Sequence, residues 1–481
     1  MHPTFRLFPL ALLTTTCLLA ADPAAEAELI RRWDPLYQKL CATCHGADLQ
    51  GGLGGSLVDG KWRRGGSPEQ LRHSIAVGWD KTGMPEFGST LSASEVDGLV
   101  DYIRAAHATY QRNQSTKAER APDGIFESGG IKFLVETVAA PLETPWSIAW
   151  LPDGRMLVTE RPGRLRVLAR DGRLSEPVQG IPEVFAKTQG GLLDVVAHPD
   201  YARNGWVYLS FSEPKDIGGE RRAFTTIVRG KIRDGRWLEQ ETIFRVPDRF
   251  YTDTGYHWGC KLVFDGAGHL FFGIGDRGKL ERAQDAADPA GKIHRIHDDG
   301  RVPADNPFRG RTGHYPTIWA LGVRNPQGLA IDSEGSRLWE TEHGPRGGDE
   351  LNLIKPGANY GWAAVSRGGN YNFAPVKWAR SAPGIEEPLV EWTPSIGASG
   401  LAVYRGDAFP AWHGQLLAGG LALEEIHRVI IAPDGGARTE LLLKGLGRVR
   451  DVRVGPDGFI YVALNHRREH LGRIVRLRPA P

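Results

Sequence analysis

IWALGVRNPQGLAIDSEGSRLWETEHGPRGGDELNLIKPGANYGW, residues 318–362, reads as β-sheet broken by loops rich in glycine and charge. Leu329-Ala330-Ile331 and Leu338-Trp339 have strand composition, and Ser333-Glu334-Gly335-Ser336 between them reads as a hairpin turn. Gly344-Pro345 and Arg346-Gly347-Gly348-Asp349 cannot continue a strand, so the backbone must leave the sheet there. A Gly-Pro corner followed by Asp349 and Glu350 offers carbonyl and carboxylate oxygens together, a donor set for a hard cation such as calcium. Arg324 and Asn325 add a fixed cation and an amide suited to the polar oxygens of a ligand. The same residues would equally make a tight solvated loop with surface ion pairs.

Outward from this hairpin, one pattern returns: an apolar strand, a turn usually built on Pro, Asp or Gly, then another apolar strand. It occurs as IAWLPDGRMLVTE, VVAHPDYARNGWVYLSF, LVFDGAGHLFFGIGD, LAIDSEGSRLWETE, LAVYRGDAFPAWHGQLLAGG and VRVGPDGFIYVALN, six times between residues 148 and 465. A hairpin with one apolar face cannot bury it alone; radial stacking buries it and leaves few free edges. Six units predict an all-β six-bladed propeller, since their intervals are too long for the strands of a β-sandwich. IVRLRP near the C-terminus is expected to close the ring by pairing with KFLVETV at 132–138.

The rest of the 481 residues bounds the problem. A net charge of +2 with no Lys/Arg patch argues against nucleic acid as a partner. With 61 Gly and 32 Pro, the chain suits a turn-rich β protein. Residues 1–21 have a short basic start and one apolar run, the shape of a secretory signal. Cys17 within that run offers the alternative of a lipid-anchoring cysteine. No later run is long and apolar enough to span a bilayer, so the expected product is a periplasmic protein that is not an integral membrane protein.

Of the four cysteines, Cys41 and Cys44 fall in Cys41-Ala42-Thr43-Cys44-His45. A covalently attached haem c needs two thiols for its vinyl groups and a following His for the iron, and CxxCH supplies all three. A zinc site would need a second Cys pair, which is missing. The other axial ligand must come from downstream. Met84, in a Thr82–Gly88 loop that Pro85 keeps out of helix, is the candidate, with His73 and His107 as rivals. Ser92 and Glu95 then cap a segment with apolar residues at helical spacing (Val96, Leu99, Val100, Ile103). Helix, CxxCH, Gly-rich loop, Met-Pro loop and closing helix resemble a small all-α class I cytochrome c over 26–110. Residues 111–130 are polar with no apolar period and read as a linker to the propeller at 131–478.

His257, between Tyr256 and Trp258 where a strand begins, is by composition either a stacked structural histidine or a base. The motifs GxRNPQGLA and E-x-GP-x-x-x-DE-x-N resemble those of the soluble glucose and aldose-sugar dehydrogenases, six-bladed propellers that use pyrroloquinoline quinone (PQQ). The resemblance makes His257 the general base: the family's H-x-x-G-x-L fits His257-Trp258-Gly259-Cys260-Lys261-Leu262 with the Gly shifted by one. It implies PQQ contacts from Gln189, Arg324, Asn325, Tyr371, Arg448 and Arg450, with Arg324 also stabilising charge on the reduced ring. It implies calcium on the carbonyls of Gly344 and Pro345, and a second, structural ion at Glu350 and Tyr360. Two positions depart from the family: Tyr256 replaces an Asp before the base, and 420–424 lacks a cofactor-binding Lys. The expected activity is oxidation of an aldose or related sugar aldehyde by PQQ, with electrons passed to the chain's own haem and then to a periplasmic or membrane acceptor. A lactonase-like hydrolase tethered to a cytochrome and a non-catalytic binding propeller are the alternatives.

Overall fold

The computed structural model describes residues 23–46, 49, 51, 54–60, 62–79, 83–116, 123–332, 337–369, 378–466 and 471–480. The expected signal peptide at 1–21, the turn at 333–336 and Tyr371 lie outside them.

Each of the six hairpins becomes the inner half of one propeller blade. The innermost strands are Pro145–Trp150, Leu192–Ala197, Leu262–Phe264, Pro326–Asp332, Ala398–Val403 and Arg448–Val454, and neighbours touch in a closed ring. Each pairs antiparallel with the strand that follows it: Met156–Glu160, Val207–Ile217, His269–Ile274, Arg337–Glu342, Leu416–Gly420 and Ile460–Asn465. The ring closes in the sixth blade, where Leu471–Pro479 takes Ile131–Glu143 as its outer neighbour in the register Val135↔Leu477 and Thr137↔Val475. Both ends of the propeller thus share one sheet.

The N-terminal domain is all-α: α1 (Pro23–Leu40), α2 (Ala42–His45), α3 (Pro68–Val77) and α4 (Ala93–Thr116). Capping boxes start the last two, Ser67 with Gln70 and Ser92 with Glu95. α1 and α4 approach so closely that a Cβ at Gly98 would meet the Trp33 ring at 2.2 Å. Tyr37 and Tyr102 meet beneath that crossing at 4.9 Å, and the Tyr102 hydroxyl donates to Asp34 at 2.7 Å.

The linker expected over 111–130 contains less irregular chain than the sequence implies. α4 runs on to Thr116, and Gly124–Ser128 is an edge strand pairing with Ile131–Glu143. Residues 117–122 lie outside the described set.

Antiparallel pairing places the start of every inner strand beside the end of its second strand. Residues just before or at the first, and just after the second, therefore collect at one rim of the ring. Gln189, His257, Arg324, Asn325, Arg448 and Arg450 are of the first kind; Arg161, Asp276, His343 and Gly344 are of the second. Below this rim, blades 1, 2, 3 and 6 are tied by a buried ion network. Lys261 reaches Asp451 at 2.8 Å and Asp194 at 3.3 Å, Arg453 reaches both acids at 3.0 Å, and the Ser147 hydroxyl donates to Asp194.

Rim and ring are fitted through glycine. A Cβ at Gly259 would lie 2.0 Å from the Pro326 carbonyl oxygen, backbone against backbone, with no flexible group to yield. Gly259→Ala is expected to destabilise the propeller by about 1–3 kcal/mol. A melting temperature equal to that of the parent protein would show that blades 3 and 4 have more freedom than this contact allows.

Candidate active site

His257 enters blade 3 in the left-handed region, at φ 56°, a conformation a non-glycine residue holds only when its surroundings fix it. They do so on every side. The Gln189 side-chain oxygen accepts from the His257 amide at 2.7 Å, while the Gln189 amide donates to the Gly255 carbonyl at 3.0 Å. The His257 carbonyl accepts from Arg277, whose guanidinium stacks on Trp258 at 4.0 Å. Gly275 leaves the room: a Cβ there would meet the His257 carbonyl oxygen at 2.3 Å.

The imidazole is aimed as firmly. Nδ1 donates to Asp276 Oδ1, which also accepts from the Gly278 amide at 2.7 Å. Asp276 Oδ2 accepts from Trp362 Nε1 at 2.6 Å, and the Asp276 amide donates to the Arg324 carbonyl at 2.9 Å. With Nδ1–H held by a carboxylate, Nε2 carries the free lone pair. Burial lowers the His257 pKa and Arg324 lowers it further, against the upward pull of Asp276, so the ring is neutral at pH 7. Burial works to raise Asp276, but His257, Arg324 and the Trp362 N–H outweigh it and keep the carboxylate ionised. Asp276, Trp362 and His343 are functional candidates that the sequence reading missed. The available signal was GIGDRG directly after an apolar strand, which puts Asp276 at the rim.

Around this dyad the rim is basic. Arg324 Nη1 donates to the His343 carbonyl at 3.0 Å, its guanidinium lies 5.1 Å from the Trp362 ring, and its Nε is buried without a partner. Asn325 serves chiefly to hold blades together: its oxygen accepts from the Gly259 amide at 3.0 Å and from Gln327 at 3.1 Å, and its Nδ2 lies 3.2 Å from His343 Nδ1. One amide hydrogen is left for a ligand. Glu342 Oε2 accepts from the backbone amides of both Arg324 and Asn325. Burial, then Arg324 and its cationic neighbours, push His343 down to about 3, so this ring is neutral and its buried Nε2 has no partner. Arg450 stacks on Trp146 at 4.2 Å, also with a buried, unpartnered Nε. Buried donors without acceptors are costly in a finished protein, and their convergence here fits a small polyanionic ligand such as PQQ.

The cation sites divide. At the Gly-Pro corner the carbonyls of Gly344 and Pro345 accept no hydrogen bond from a described residue, and those of Gly347 and Gly348 approach Gly344 closely. That donor set fits calcium. Asp349 and Glu350 do not share one site, contrary to the expectation from sequence: adjacent strand residues face opposite ways. Asp349 instead accepts from the Ser395 hydroxyl and the amides of Ala398 and Gly344. Glu350 lies across the strand pair from Glu342 and lines one cleft with Tyr360, Ser366 and Arg367. The Tyr360 hydroxyl is engaged with Leu353 and Lys355, which leaves its carbonyl as the possible ligand. Burial pushes Glu350 up to about 7. Among the described residues, no three or more His, Cys, Asp and Glu side chains form a metal-holding group.

In the helical domain, His45 Nδ1 donates to the Gly55 carbonyl at 2.7 Å, which leaves Nε2 for a metal. Gly54 packs on the ring face, where a Cβ would come within 2.7 Å. Cys41 and Met84 border the same apolar cluster, and Cys41 and Cys44 are free thiols. His107 Nδ1 is engaged by the Val58 carbonyl at 2.7 Å, and His73 meets the Trp79 ring edge-on at 5.8 Å. These residues fit a haem held between His45 and a thioether. Across the domain boundary, burial raises the Cys44 thiol pKa while Arg346, in the Gly-Pro loop, pulls it down.

Comparison with known proteins agrees with this division. Residues 142–476 match the family model "Glucose / Sorbosone dehydrogenase", and residues 28–103 match "Cytochrome C oxidase, cbb3-type, subunit III". Aldose sugar dehydrogenase YliI of Escherichia coli is 39% identical over 353 residues, 72% of this chain and 92% of the relative. The PQQ-bound aldose sugar dehydrogenase of Streptomyces coelicolor superposes with a TM-score of 0.59 at 27% identity, covering 75% of this chain and 99% of that one. Cytochrome c55X of Stutzerimonas stutzeri is 35% identical over 101 residues, 21% of this chain and 80% of the relative. The chain belongs to the glucose/sorbosone dehydrogenase family, with a cytochrome domain joined to the N-terminal side of its propeller.

Proposed function

We propose that the protein is a periplasmic quinohaemoprotein that oxidises an aldose, or a related sugar aldehyde, and passes the electrons to its own c-type haem. The observation that carries this reading is the His257–Asp276 pair under an arginine-rich rim, in a chain that also bears CxxCH. His257 Nε2 accepts the proton of the sugar hydroxyl, and Asp276 keeps the ring in the correct tautomer and steadies its charged form. Gln189, Arg324, Arg448 and Arg450 bind PQQ by its oxygens and carboxylates; Tyr371 belongs to the same proposal from sequence alone. Gly344 and Pro345 hold calcium through their carbonyls, while Glu350 with the Tyr360 carbonyl holds a structural ion. When bound, PQQ supplies a quinone that takes hydride from the sugar and releases the electrons one at a time. Cys41 and Cys44 attach the haem, and His45 and Met84 ligate its iron, with a methionine ligand favouring the higher potential an acceptor needs. A further periplasmic or membrane acceptor takes the electrons onward. The described helices include none long and apolar enough to cross a membrane.

The test is addition of PQQ and calcium to the apoprotein with an aldose and a redox dye. Sugar-dependent dye reduction is expected only with both added, and no stimulation would overturn the enzymatic reading.

Asp276→Asn separates orientation from basicity. Loss of a hydrogen bond to a charged group is worth about 1.5–3 kcal/mol, so turnover should fall roughly 10- to 150-fold. His257 is neutral above its pKa, which burial and Arg324 hold below 6.5, so activity should fall only as pH drops through that lower value. Arg277 and His343 face the same ring. Since Asp276 is the group that raises the His257 pKa, its loss should move the acid limb to still lower pH. A limb that moved upward would assign the titration to another group.

A further inference from the structure

We propose that Arg161 is a direct anion-binding residue of the rim, forming with Arg448 and Arg450 one pocket for a carboxylate of a small polycarboxylate. This rests on the PQQ reading above and extends it to a residue outside the family motifs.

Arg161 follows the second strand of blade 1, and its backbone is pinned on both sides. Its amide donates to the Thr144 carbonyl at 3.0 Å, and its carbonyl accepts from the Leu192 amide of blade 2 at 2.9 Å. Only a glycine fits opposite, since a Cβ at Gly191 would stand 2.0 Å from the Arg161 carbonyl oxygen. The guanidinium uses Nη1 alone, donating to the carbonyls of Thr188 at 2.7 Å and Gly190 at 3.3 Å. These flank Gln189, the residue that holds the His257 amide. Nε and Nη2 keep a planar pair of donors, the fork that matches a carboxylate.

The pocket's other wall comes from blade 6. Arg450 rests on Trp146, a residue of the blade 1 inner strand, which brings the two blade tops together. Arg450 and Arg161 form no ion pair with a described carboxylate, and nearby acids are already engaged. Glu160 is bound to Arg164 and Arg166, and Glu143 is bound to Arg164. Burial, then Arg448 and Arg161, hold the Arg450 pKa well below its usual value, the repulsion expected where guanidinium groups gather; Glu143 offsets part of the burial cost at Arg161. An anion entering between them relieves that repulsion.

The experiment is calorimetric titration of PQQ into the full-length apoprotein with calcium, repeated across a range of ionic strength, for the parent, Arg161→Gln and Arg161→Lys. Arg161→Gln should weaken binding about 10- to 100-fold, with a shallower salt dependence because one ionic contact is gone. Arg161→Lys should recover the salt dependence and part of the affinity. Unchanged affinity in Arg161→Gln would overturn the inference. So would weakened binding with the parent's salt dependence, which would make Arg161 a staple for the Gln189 loop only. A parent protein that does not bind PQQ would overturn the reading beneath the inference, and the inference with it.

Discussion

His257→Ala is expected to lower sugar turnover by about 10² to 10⁴ while leaving the binding of PQQ and calcium near that of the parent protein. The two halves of this expectation come from different atoms. Proton transfer needs Nε2, which the substitution deletes. The proposed cofactor contacts run through Arg324, Gln189 and the arginines of blade 6, and the Gln189 contact to position 257 is made to the backbone amide, which alanine retains. Asp276 loses its imidazole partner yet keeps the Gly278 amide and Trp362 Nε1, so its carboxylate remains satisfied. The variant should therefore fold, with a cost of about 1–3 kcal/mol for the lost hydrogen bond. Near-normal turnover would place the base elsewhere. Lost PQQ binding would mean that the imidazole itself contacts the cofactor, and that its role is binding before catalysis.

The sequence was most legible where the signal was local. CxxCH is five consecutive residues, and the six hairpins announce themselves because each inner strand and its partner are joined by a short turn. What was hidden depended on contacts across strands. Asp276 lies 19 positions after His257 and meets it only because blade 3 folds its second strand back beside the first. Trp362 stood inside the decisive stretch, but its role needs a partner 86 positions away. Asp349 and Glu350 looked like neighbours on one site until strand alternation sent them to opposite faces. The linker was overread because the last turns of α4 carry polar residues without an apolar period. Gly124–Ser128 is likewise a short edge strand with Ile125 turned to solvent, so it offers no buried alternation to recognise.

Sugar-driven reduction of the haem should proceed at a rate independent of enzyme concentration. α4 ends at Thr116 and the first strand of the propeller sheet begins at Gly124, so the covalent tie between the two domains is short. A short tether holds its partner at roughly millimolar effective concentration, about 10³ above a micromolar solution of separate molecules. Arg346 of the propeller pulls the Cys44 thiol pKa down, against burial. Arg346 stands two residues after Gly344, in the loop proposed to hold calcium, and His343 before that loop is bonded to Arg324. Stopped-flow mixing of PQQ-loaded protein with sugar, read in the haem band over a tenfold range of enzyme concentration, should give one first-order rate. Met84→Ala should shift the haem potential downward and slow that phase, since the thioether is the proposed ligand and such a ligand raises the potential. Dye-coupled oxidation at the propeller should stay close to the parent rate in the same variant. A haem reduction rate that rises in proportion to enzyme concentration would mean that electrons pass between molecules, and the fusion would then have to be explained by something other than proximity.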